Sequence, residues 1–470
     1  MGRASTPPDG TVLQQTRYGK AVVSPLRQGT DDARAALLNR VAATAAICVF
    51  LLMGTDLLMI AVGENRSLVR AVMAACSLGI VAVAVVFRRT LVSAARVEPF
   101  LAALVALVCA SVLWSVNGGN TTARLPTFLT CTLLGMMTGR MLSLRSLVYL
   151  LASLGTLVAL LSLAAVAVFP DARGLPPWDN TWRGVFGHKN GLGAACAFAL
   201  PFTIYAAVVA EGLRRRFYAL GTIGLLVLLF ASESRTAQLI TGIALLNLGI
   251  AMAFRQLQFS WSTITAIVFA ATLLSMPLII SSGLAQTLFD IMGREPTLSG
   301  RLPLWKVVWP WIEERPVLGY GYAAFWEPDS YRIRQITGHP SAQWEVYYSH
   351  NGALETLLDV GVVGLSLLLA AYARAFWAIL CLLRRCPYAH DLAPIMIFLI
   401  SFLLANITEA SALQREDIIW IIFVAVVVRL QTLQSAGQAD RLRLQPGYPP
   451  ERPALLRHHA DSAHPDANVR

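Results

Sequence analysis

Long apolar runs alternate with short polar segments along most of this chain. Runs of membrane-spanning length occupy residues 41–62, 70–87, 97–116, 123–138, 145–169, 192–210, 217–231, 236–254, 262–281, 353–382, 393–407 and 418–433. A bilayer core is crossed by a helix of about 20 apolar residues. Several of the runs are shorter than that, so the pattern predicts an all-α polytopic membrane protein with about 10–12 transmembrane helices.

The overall composition agrees with this prediction. The chain is 56% hydrophobic and 14% charged, with a mean hydropathy of +0.59. These values are too apolar for a soluble globular protein of this size. The polar stretch before Asn39 has no early apolar region followed by a small-residue cleavage site, so we expect no cleaved signal peptide.

Arginine residues recur in every second loop, which is the pattern of loops that stay in the cytoplasm. They are Arg88, Arg89, Arg96, Arg140, Arg145, Arg214, Arg215, Arg216, Arg255, Arg384 and Arg385. The net charge of +11 then reflects inner loops and tails that face anionic membrane lipids, and it requires no nucleic-acid partner. The expected divisions are a cytoplasmic tail (1–40), a first transmembrane bundle (41–281), a large outer loop (282–349), C-terminal transmembrane helices (350–433) and a disordered cytoplasmic tail (434–470).

The cysteines point to neither disulfides nor metal binding. All seven fall within spans or at their inner ends, and none lies in the large loop: Cys48, Cys76, Cys109, Cys131, Cys196, Cys381 and Cys386. The spacing therefore offers no disulfide framework and no CxxC metal site. Ser-His-Asp triads and metal-ligand clusters have no convincing placement either, so we expect no metal and no cofactor.

Cations are unexpectedly frequent in the loops that should face outward. These are Arg183, Lys189, Arg235, Arg294, Arg301, Lys306, Arg315, Arg332, Arg334 and Arg415. A basic outer surface against the general bias predicts an anionic ligand. The loop 178–191 adds aromatic residues and glycines to the donors of Arg183, His188 and Lys189, although an interfacial aromatic belt is the alternative interpretation.

Two further positions stand out. The turn 232–236 can be only a helix cap formed by Ser234 or Thr236, but a guanidinium such as Arg235 near lipid usually pairs or faces a cavity. His350 follows the polar segment 282–349 and lies about 15 Å outside the apolar stretch that starts at Val360. An imidazole there faces the membrane–water boundary, unless it merely caps or packs against the following helix.

The spacing of these residues resembles that of O-antigen ligases. His350-Asn351, nine residues, Gly361, two residues and Gly364 resemble the family's histidine motif, and Arg235-x3-Leu239 resembles its arginine element. Segments 300–305, 316–321 and 187–190 are similar to elements of the wider ligase and polymerase superfamily. The last is most similar to exopolysaccharide polymerases of succinoglycan-type systems. The similarity extends from about Trp182 to Asp417 and does not separate ligase from polymerase.

The resemblance implies a membrane glycosyltransferase with a membrane glycosyltransferase-C-like fold in the bacterial inner membrane, with its active site on the periplasmic face. The donor would be a saccharide on polyprenyl diphosphate, the acceptor a saccharide or lipid A-core, and other polysaccharide assembly proteins would be partners. The residues implied as catalytic are His350, Asn351 and Arg235. Those implied as substrate-binding are Arg183, His188, Lys189, Asn190 and Arg301.

The chemistry of these side chains is compatible with that reaction. Diphosphate is a good leaving group, so the enzyme needs cations to stabilise the developing charge, and arginine forks supply them without a metal. His350 can act as the base for an acceptor hydroxyl, with Asn351 orienting the acceptor or the imidazole. A flippase or other transporter needs the same cations, and it should also carry basic residues in the membrane interior. We find no internal repeat, and Arg374 is the only basic residue deep in a predicted span. A non-enzymatic assembly subunit is a third interpretation, which the His-Asn motif disfavours.

Overall fold

The computed structural model describes residues 51, 55, 66–174, 181–256, 301–327, 330–338, 348–385, 390–414 and 417–435. Within them it contains α-helices and two short 3₁₀ helices, Ser111–Leu113 and Pro170–Arg173, and no strand, which confirms the all-α class. The α-helices are α1 (Arg66–Val86), α2 (Arg88–Val97), α3 (Pro99–Ala110), α4 (Gly118–Met141), α5 (Leu144–Val168), α6 (Lys189–Val209), α7 (Gly212–Ala231), α8 (Arg235–Gln256), α9 (Arg301–Glu314), α10 (Tyr331–Thr337), α11 (Gly352–Arg385), α12 (Leu392–Thr408) and α13 (Ile418–Ser435).

Each apolar run that the structure describes is helical, whereas α2, α9 and α10 lie outside the runs. The two other runs, 41–62 and 262–281, lie outside the described residues except for Leu51 and Thr55. Five helices are long and apolar enough to cross a membrane alone: Ser67–Val86, Leu144–Val168, Lys189–Val209, Gly352–Arg384 and Ile418–Ser435. Helices α2 and α3 meet at a 110° bend and together make a sixth candidate. The chain is thus a multi-pass membrane protein, and the larger span count stays a prediction.

Glycines allow α4 to pack closely against α13. A Cβ atom placed on Gly135 would lie 2.7 Å from the carbonyl oxygen of Ile421, and one on Gly139 would lie 2.2 Å from that of Ala425. Small residues four positions apart let two helix backbones approach in this way. Trp420 adds a hydrogen bond from its indole nitrogen to Thr132, at 3.0 Å. This contact buries α4, which is less apolar than the helices that cross a membrane alone.

The ends of the helices fall into two groups that differ in chemistry. The arginine end carries Arg88, Arg140, Arg145, Arg214 and Arg384. At the opposite end, here called the site end, the amide of Trp182 donates to Ala231 and the amide of Val116 donates to Tyr320, both at 2.9 Å. The turn before α6, the α7–α8 turn and the segment 301–327 therefore share the site end.

The two ends give a direct test of the predicted orientation. In a cysteine-free background, a single cysteine at the exposed position Tyr331 should react with an impermeant maleimide added to intact cells. One at the exposed position Arg215 should react only after the membrane is opened, because positively charged loops stay in the cytoplasm. Labelling of the Arg215 position in sealed cells would reverse the topology.

Helix α11 is broken at Gly361, where the backbone turns to φ 66° and ψ −167°. The loop 316–321 pairs with the broken segment from both sides. Its amides donate to the carbonyls that the break leaves free, and its carbonyls accept from the first amides after the break: Tyr320 N to Leu358 O (2.7 Å), Gly321 N to Asp359 O (3.0 Å), Val362 N to Pro316 O (2.8 Å) and Val363 N to Val317 O (3.3 Å). Non-helical backbone at membrane depth needs such partners, so the 316–321 segment and the Gly361 motif form one structural unit.

Candidate functional site

Glu409 lies at the centre of a group of polar side chains at the site end. It follows the last residue of α12, and its side chain is 16% exposed. One carboxylate oxygen, Oε1, accepts from Arg301 Nη2 at 2.5 Å and from Asn190 Nδ2 at 3.2 Å. The other, Oε2, lies 3.3 Å from His350 Nδ1 and accepts from the Tyr348 hydroxyl at 3.4 Å. We call these five residues the Glu409 cluster.

The charge state of Glu409 follows from these partners. Burial by itself raises the pKa of Glu409, because desolvation disfavours a carboxylate. The hydrogen bond from His350, followed by the positive charge of Arg301, outweighs burial, and the pKa is held below its usual value. Glu409 is therefore ionised at neutral pH. A carboxylate at the C-terminal end of a helix is normally unfavourable, so its position depends on these cations.

His350 is held in an unusual backbone conformation. Its φ is 52°, in the left-handed region that costs a non-glycine residue about 1 kcal/mol or more. The preceding residue is fixed on both sides, since the Ser349 amide donates to Glu355 at 3.0 Å and the Ser349 carbonyl accepts from Trp305 at 2.9 Å. The ring of Tyr348 lies 3.9 Å from the imidazole, centroid to centroid. The surrounding contacts thus fix the imidazole with Nδ1 toward Glu409.

Asn351, and not His350, caps helix α11. Its side-chain oxygen accepts from the amides of Ala353 at 2.9 Å and Leu354 at 3.0 Å. These are the hydrogen bonds that an asparagine N-cap normally forms. Its side-chain nitrogen donates to the carbonyl of Ile407 at 2.9 Å. These hydrogen bonds of the Asn351 side chain are thus with backbone, and its predicted role in orienting the acceptor or the imidazole stays a prediction. Asn351 joins the start of α11 to the end of α12, which brings His350 beside Glu409.

The turn 187–190 contributes to the same cluster. His188 Nδ1 accepts from the Asn190 amide at 3.2 Å and caps α6, while the Asn190 side chain reaches Glu409. Desolvation lowers the pKa of His188; Glu409 opposes that change, and Lys189 and His350 reinforce it. His188 is therefore neutral at pH 7 and close enough to the cluster to sense its charges.

Two of the arginines singled out from the sequence have other surroundings. Arg183 donates to the carbonyl of Asp171 at 2.7 Å and to that of Gly187 at 3.4 Å, so it braces the turn before α6. Arg235 begins α8 and is exposed. It follows Ser234, which packs so tightly on Gly193 that a Cβ there would lie 2.5 Å from the Ser234 Cβ. Arg235 thus borders the start of α6 at the site end without joining the Glu409 cluster.

Sequence reasoning missed Glu409. The signal for Glu409 is an acidic residue directly after the apolar run 393–407, on the side of the membrane where the sequence also places cations. Tyr348, two residues before His350, has no comparable signal. Burial, followed by the charge of Glu409, raises the pKa of its hydroxyl, so Tyr348 is a neutral hydrogen-bond donor at this site.

The arrangement can perform proton transfer beside an anion site. In the neutral tautomer that carries its proton on Nδ1, toward the carboxylate, the imidazole has a lone pair on Nε2 that can accept a proton. Arg301 next to it supplies a partly buried cation. Among the described residues, no group of three His, Cys, Asp or Glu side chains is arranged to hold a metal ion.

Two known groups of proteins are similar to this chain. Residues 220–369 match the family model described as O-antigen ligase, a region that includes Arg235, Arg301 and His350 but ends before Glu409. The chain is also 27% identical over 291 residues to the exopolysaccharide production protein ExoQ of Rhizobium meliloti (strain 1021). That alignment covers 57% of this chain and spans 62% of the relative's length. The chain is therefore similar to O-antigen ligases over residues 220–369 and, over less than two thirds of that relative's length, to an exopolysaccharide production protein.

Proposed function

We propose that this protein is a polysaccharide-assembly enzyme that transfers a saccharide from polyprenyl diphosphate to a hydroxyl of an acceptor sugar. The observation that carries the proposal is the pairing of His350 with Glu409, 3.3 Å apart, next to Arg301 at the site end. Base and cation are the two groups that this reaction needs. The resemblance to O-antigen ligases supports the choice of a lipid-linked saccharide as the substrate class.

The reaction follows from the orientation of the imidazole. His350 Nε2 accepts the proton of the acceptor hydroxyl as that oxygen attacks the anomeric carbon of the donor sugar. The bond between the anomeric carbon and the diphosphate oxygen breaks, and polyprenyl diphosphate leaves with the bonding electrons. Glu409 faces Nδ1 and stabilises the imidazolium that forms, which is how a carboxylate supports histidine in other enzymes.

Cations stabilise the charge that develops on the leaving diphosphate. Arg301 is 8% exposed, and a guanidinium in such a partly dry site interacts more strongly with phosphate than it does in water. Arg235 and Lys189 lie at the same end of the bundle and extend the positive surface toward the place where a lipid-linked diphosphate would enter. No metal is needed for this part of the chemistry.

The polymerase branch is favoured over transfer to lipid A-core. The relative ExoQ is an exopolysaccharide production protein, and the 187–190 turn is similar to that of exopolysaccharide polymerases. The acceptor is then a growing saccharide chain on the periplasmic face of the bacterial inner membrane. Other polysaccharide assembly proteins would act beside it.

A transport path is disfavoured by the surroundings of Arg374, the cation deep in a predicted span. Its guanidinium donates to Glu98 at 3.2 Å, to the Val97 carbonyl at 3.1 Å and to Gln431 at 3.0 Å. Paired in this way, Arg374 braces the junction of α2 and α3 against α11 and α13. The one basic residue deep in a predicted span is therefore engaged by protein groups, which disfavours a role for it in moving an anionic substrate.

The experiment that tests the function is a transfer assay in proteoliposomes. Purified protein receives a polyprenyl-diphosphate-linked saccharide as both donor and acceptor, and the products are separated. We expect release of polyprenyl diphosphate together with a longer lipid-linked glycan. Movement of the donor across the bilayer with its glycosidic bond intact would contradict the proposal and establish a flippase.

Arg235 gives a second test in the same assay. Lysine keeps the charge but loses the planar fork that binds two phosphate oxygens. We expect Arg235→Lys to reduce transfer by about tenfold or more, the cost of one charged hydrogen bond. The matched control is Arg215→Lys, an equally exposed arginine at the arginine end, which should be unaffected. Full activity of Arg235→Lys would leave at most a simple charge role.

A further inference from the structure

We infer that Glu409 is an internal counter-anion that holds Arg301 while the donor site is empty and turns to His350 when the donor diphosphate takes its place. The inference rests on the proposed function, because it assigns a positioning residue to that reaction. It adds a coupling between donor binding and the base.

The two oxygens of Glu409 serve two different halves of the site. Oε1 contacts Arg301 and Asn190, which belong to the cationic half, and Oε2 contacts His350 and Tyr348, which belong to the half that carries the base. One carboxylate therefore bridges the groups that would bind the diphosphate and the group that would accept the proton. A change in the contact between Glu409 and Arg301 can therefore change the contact between Glu409 and His350.

The bridge is unequal. The contact with Arg301 is 2.5 Å, whereas those with His350 and Tyr348 are 3.3 and 3.4 Å. Charged hydrogen bonds have donor–acceptor distances of about 2.7–2.9 Å, so the contact with the imidazole is the longer one and can still shorten. In this state the base has a partner within hydrogen-bond distance, but not at the distance of a charged hydrogen bond.

A donor diphosphate competes for the same cation. Arg301 directs a guanidinium nitrogen at Glu409, and a diphosphate bound by that guanidinium would lie within a few ångströms of the carboxylate. Like charges at that distance repel, more strongly in a partly buried site than in water. Glu409 therefore opposes anion binding, and donor binding shifts the carboxylate away from Arg301.

The released carboxylate has a partner ready. His350 Nδ1 already lies 3.3 Å from the other carboxylate oxygen, Oε2. A shorter contact between these two atoms would stabilise the imidazolium that forms when Nε2 takes the acceptor proton. The base is thereby supported only after the donor is in place. An empty site, or one holding only acceptor, keeps the carboxylate on Arg301.

A purely structural role for Glu409 makes the opposite prediction. If the carboxylate only pre-orients Arg301 for phosphate, removing it leaves the guanidinium less ordered, and anions bind more weakly. If it is a counter-anion, removing its charge lets anions bind more tightly. The sign of the change in anion affinity therefore separates the two roles.

The experiment measures binding of inorganic pyrophosphate to purified protein in detergent by isothermal calorimetry, together with transfer in proteoliposomes. We expect Glu409→Gln to bind pyrophosphate about tenfold more tightly at low ionic strength, the effect of removing one partly screened charge, while turnover falls at least about tenfold. The control is Glu313→Gln, an exposed acid on α9, which should change neither quantity. Unchanged or weaker pyrophosphate binding by Glu409→Gln would overturn the inference.

A second variant covers the case in which the glutamine protein fails to fold. Glu409→Asp keeps the charge but is one methylene too short to bridge both partners, so pyrophosphate affinity should stay near wild type while turnover falls. Wild-type turnover by the aspartate variant would contradict the bridging role. If the inference fails but loss of His350 still abolishes transfer, the proposed function stands; if neither loss affects transfer, the proposed function itself is wrong.

Discussion

Replacing His350 with alanine should abolish saccharide transfer and leave a folded protein that still binds the donor. The proposed base would be gone, and general-base catalysis contributes about 10²- to 10⁴-fold to a rate. Expression, membrane insertion and pyrophosphate binding should persist, because Arg301 and the other cations are untouched. Turnover in proteoliposomes and pyrophosphate calorimetry on the same preparation measure both parts.

Glycine at the same position is the matched control for folding. His350 has a φ of 52°, which glycine adopts without strain and alanine does not. His350→Gly should therefore be no less stable to heat than His350→Ala while being equally inactive. Wild-type turnover in either variant would return His350 to a structural role and leave departure of the diphosphate, assisted by arginine, as the whole of catalysis.

Replacing Gly361 with valine should cause the largest loss of stability. The residue has a φ of 66°, and a Cβ atom there would lie 2.1 Å from the Val317 carbonyl oxygen. A β-branched side chain cannot adopt that φ without strain, and the clash is with backbone that cannot move aside cheaply. We expect a cost of about 2–4 kcal/mol, seen as a lower yield of folded protein and earlier thermal unfolding.

Gly79 supplies the comparison, because a Cβ atom there would meet nothing within 4 Å. Gly79→Val should extract and unfold like the wild type. Gly361→Val should also lose transfer, since the break at Gly361 aligns residues 352–360 and the Asp359 carboxylate accepts from the Ala323 amide at 2.9 Å. A Gly361→Val protein as stable and active as wild type would mean that the break is not required.

The sequence predicted the helices because hydropathy is a local property. Whether a segment of about 20 residues prefers lipid depends on its own side chains, so helices such as Leu144–Val168 and Ile418–Ser435 lie where the apolar runs predicted them. The division of charge between the two ends follows from insertion rules that also act locally. The span count and the boundaries at 40, 281, 349 and 433 stay predictions.

Part of the site was also predictable from single residues. The sequence predicts a role for His350 and Arg301 because a cation or imidazole outside the apolar stretch is chemically conspicuous by itself, and the structure brings both to one carboxylate. The same reasoning predicts a role for Arg183, yet its guanidinium donates to backbone carbonyls. A side chain's type is visible in the sequence, whereas its partner is not.

Tertiary structure alone decided how these residues combine. Glu409 is separated from His350 by 59 positions and from Arg301 by 108, and it meets them only because α12 ends beside the starts of α9 and α11. The hydrogen bond from Asn351 to Ile407 holds the start of α11 against the end of α12. The pairing of 316–321 with the break at Gly361 orients the first part of α11, which carries Asn351. Hydropathy and residue type determined the membrane fold and the candidate chemistry, but the packing of distant helix ends determined which carboxylate stands between the base and the cation.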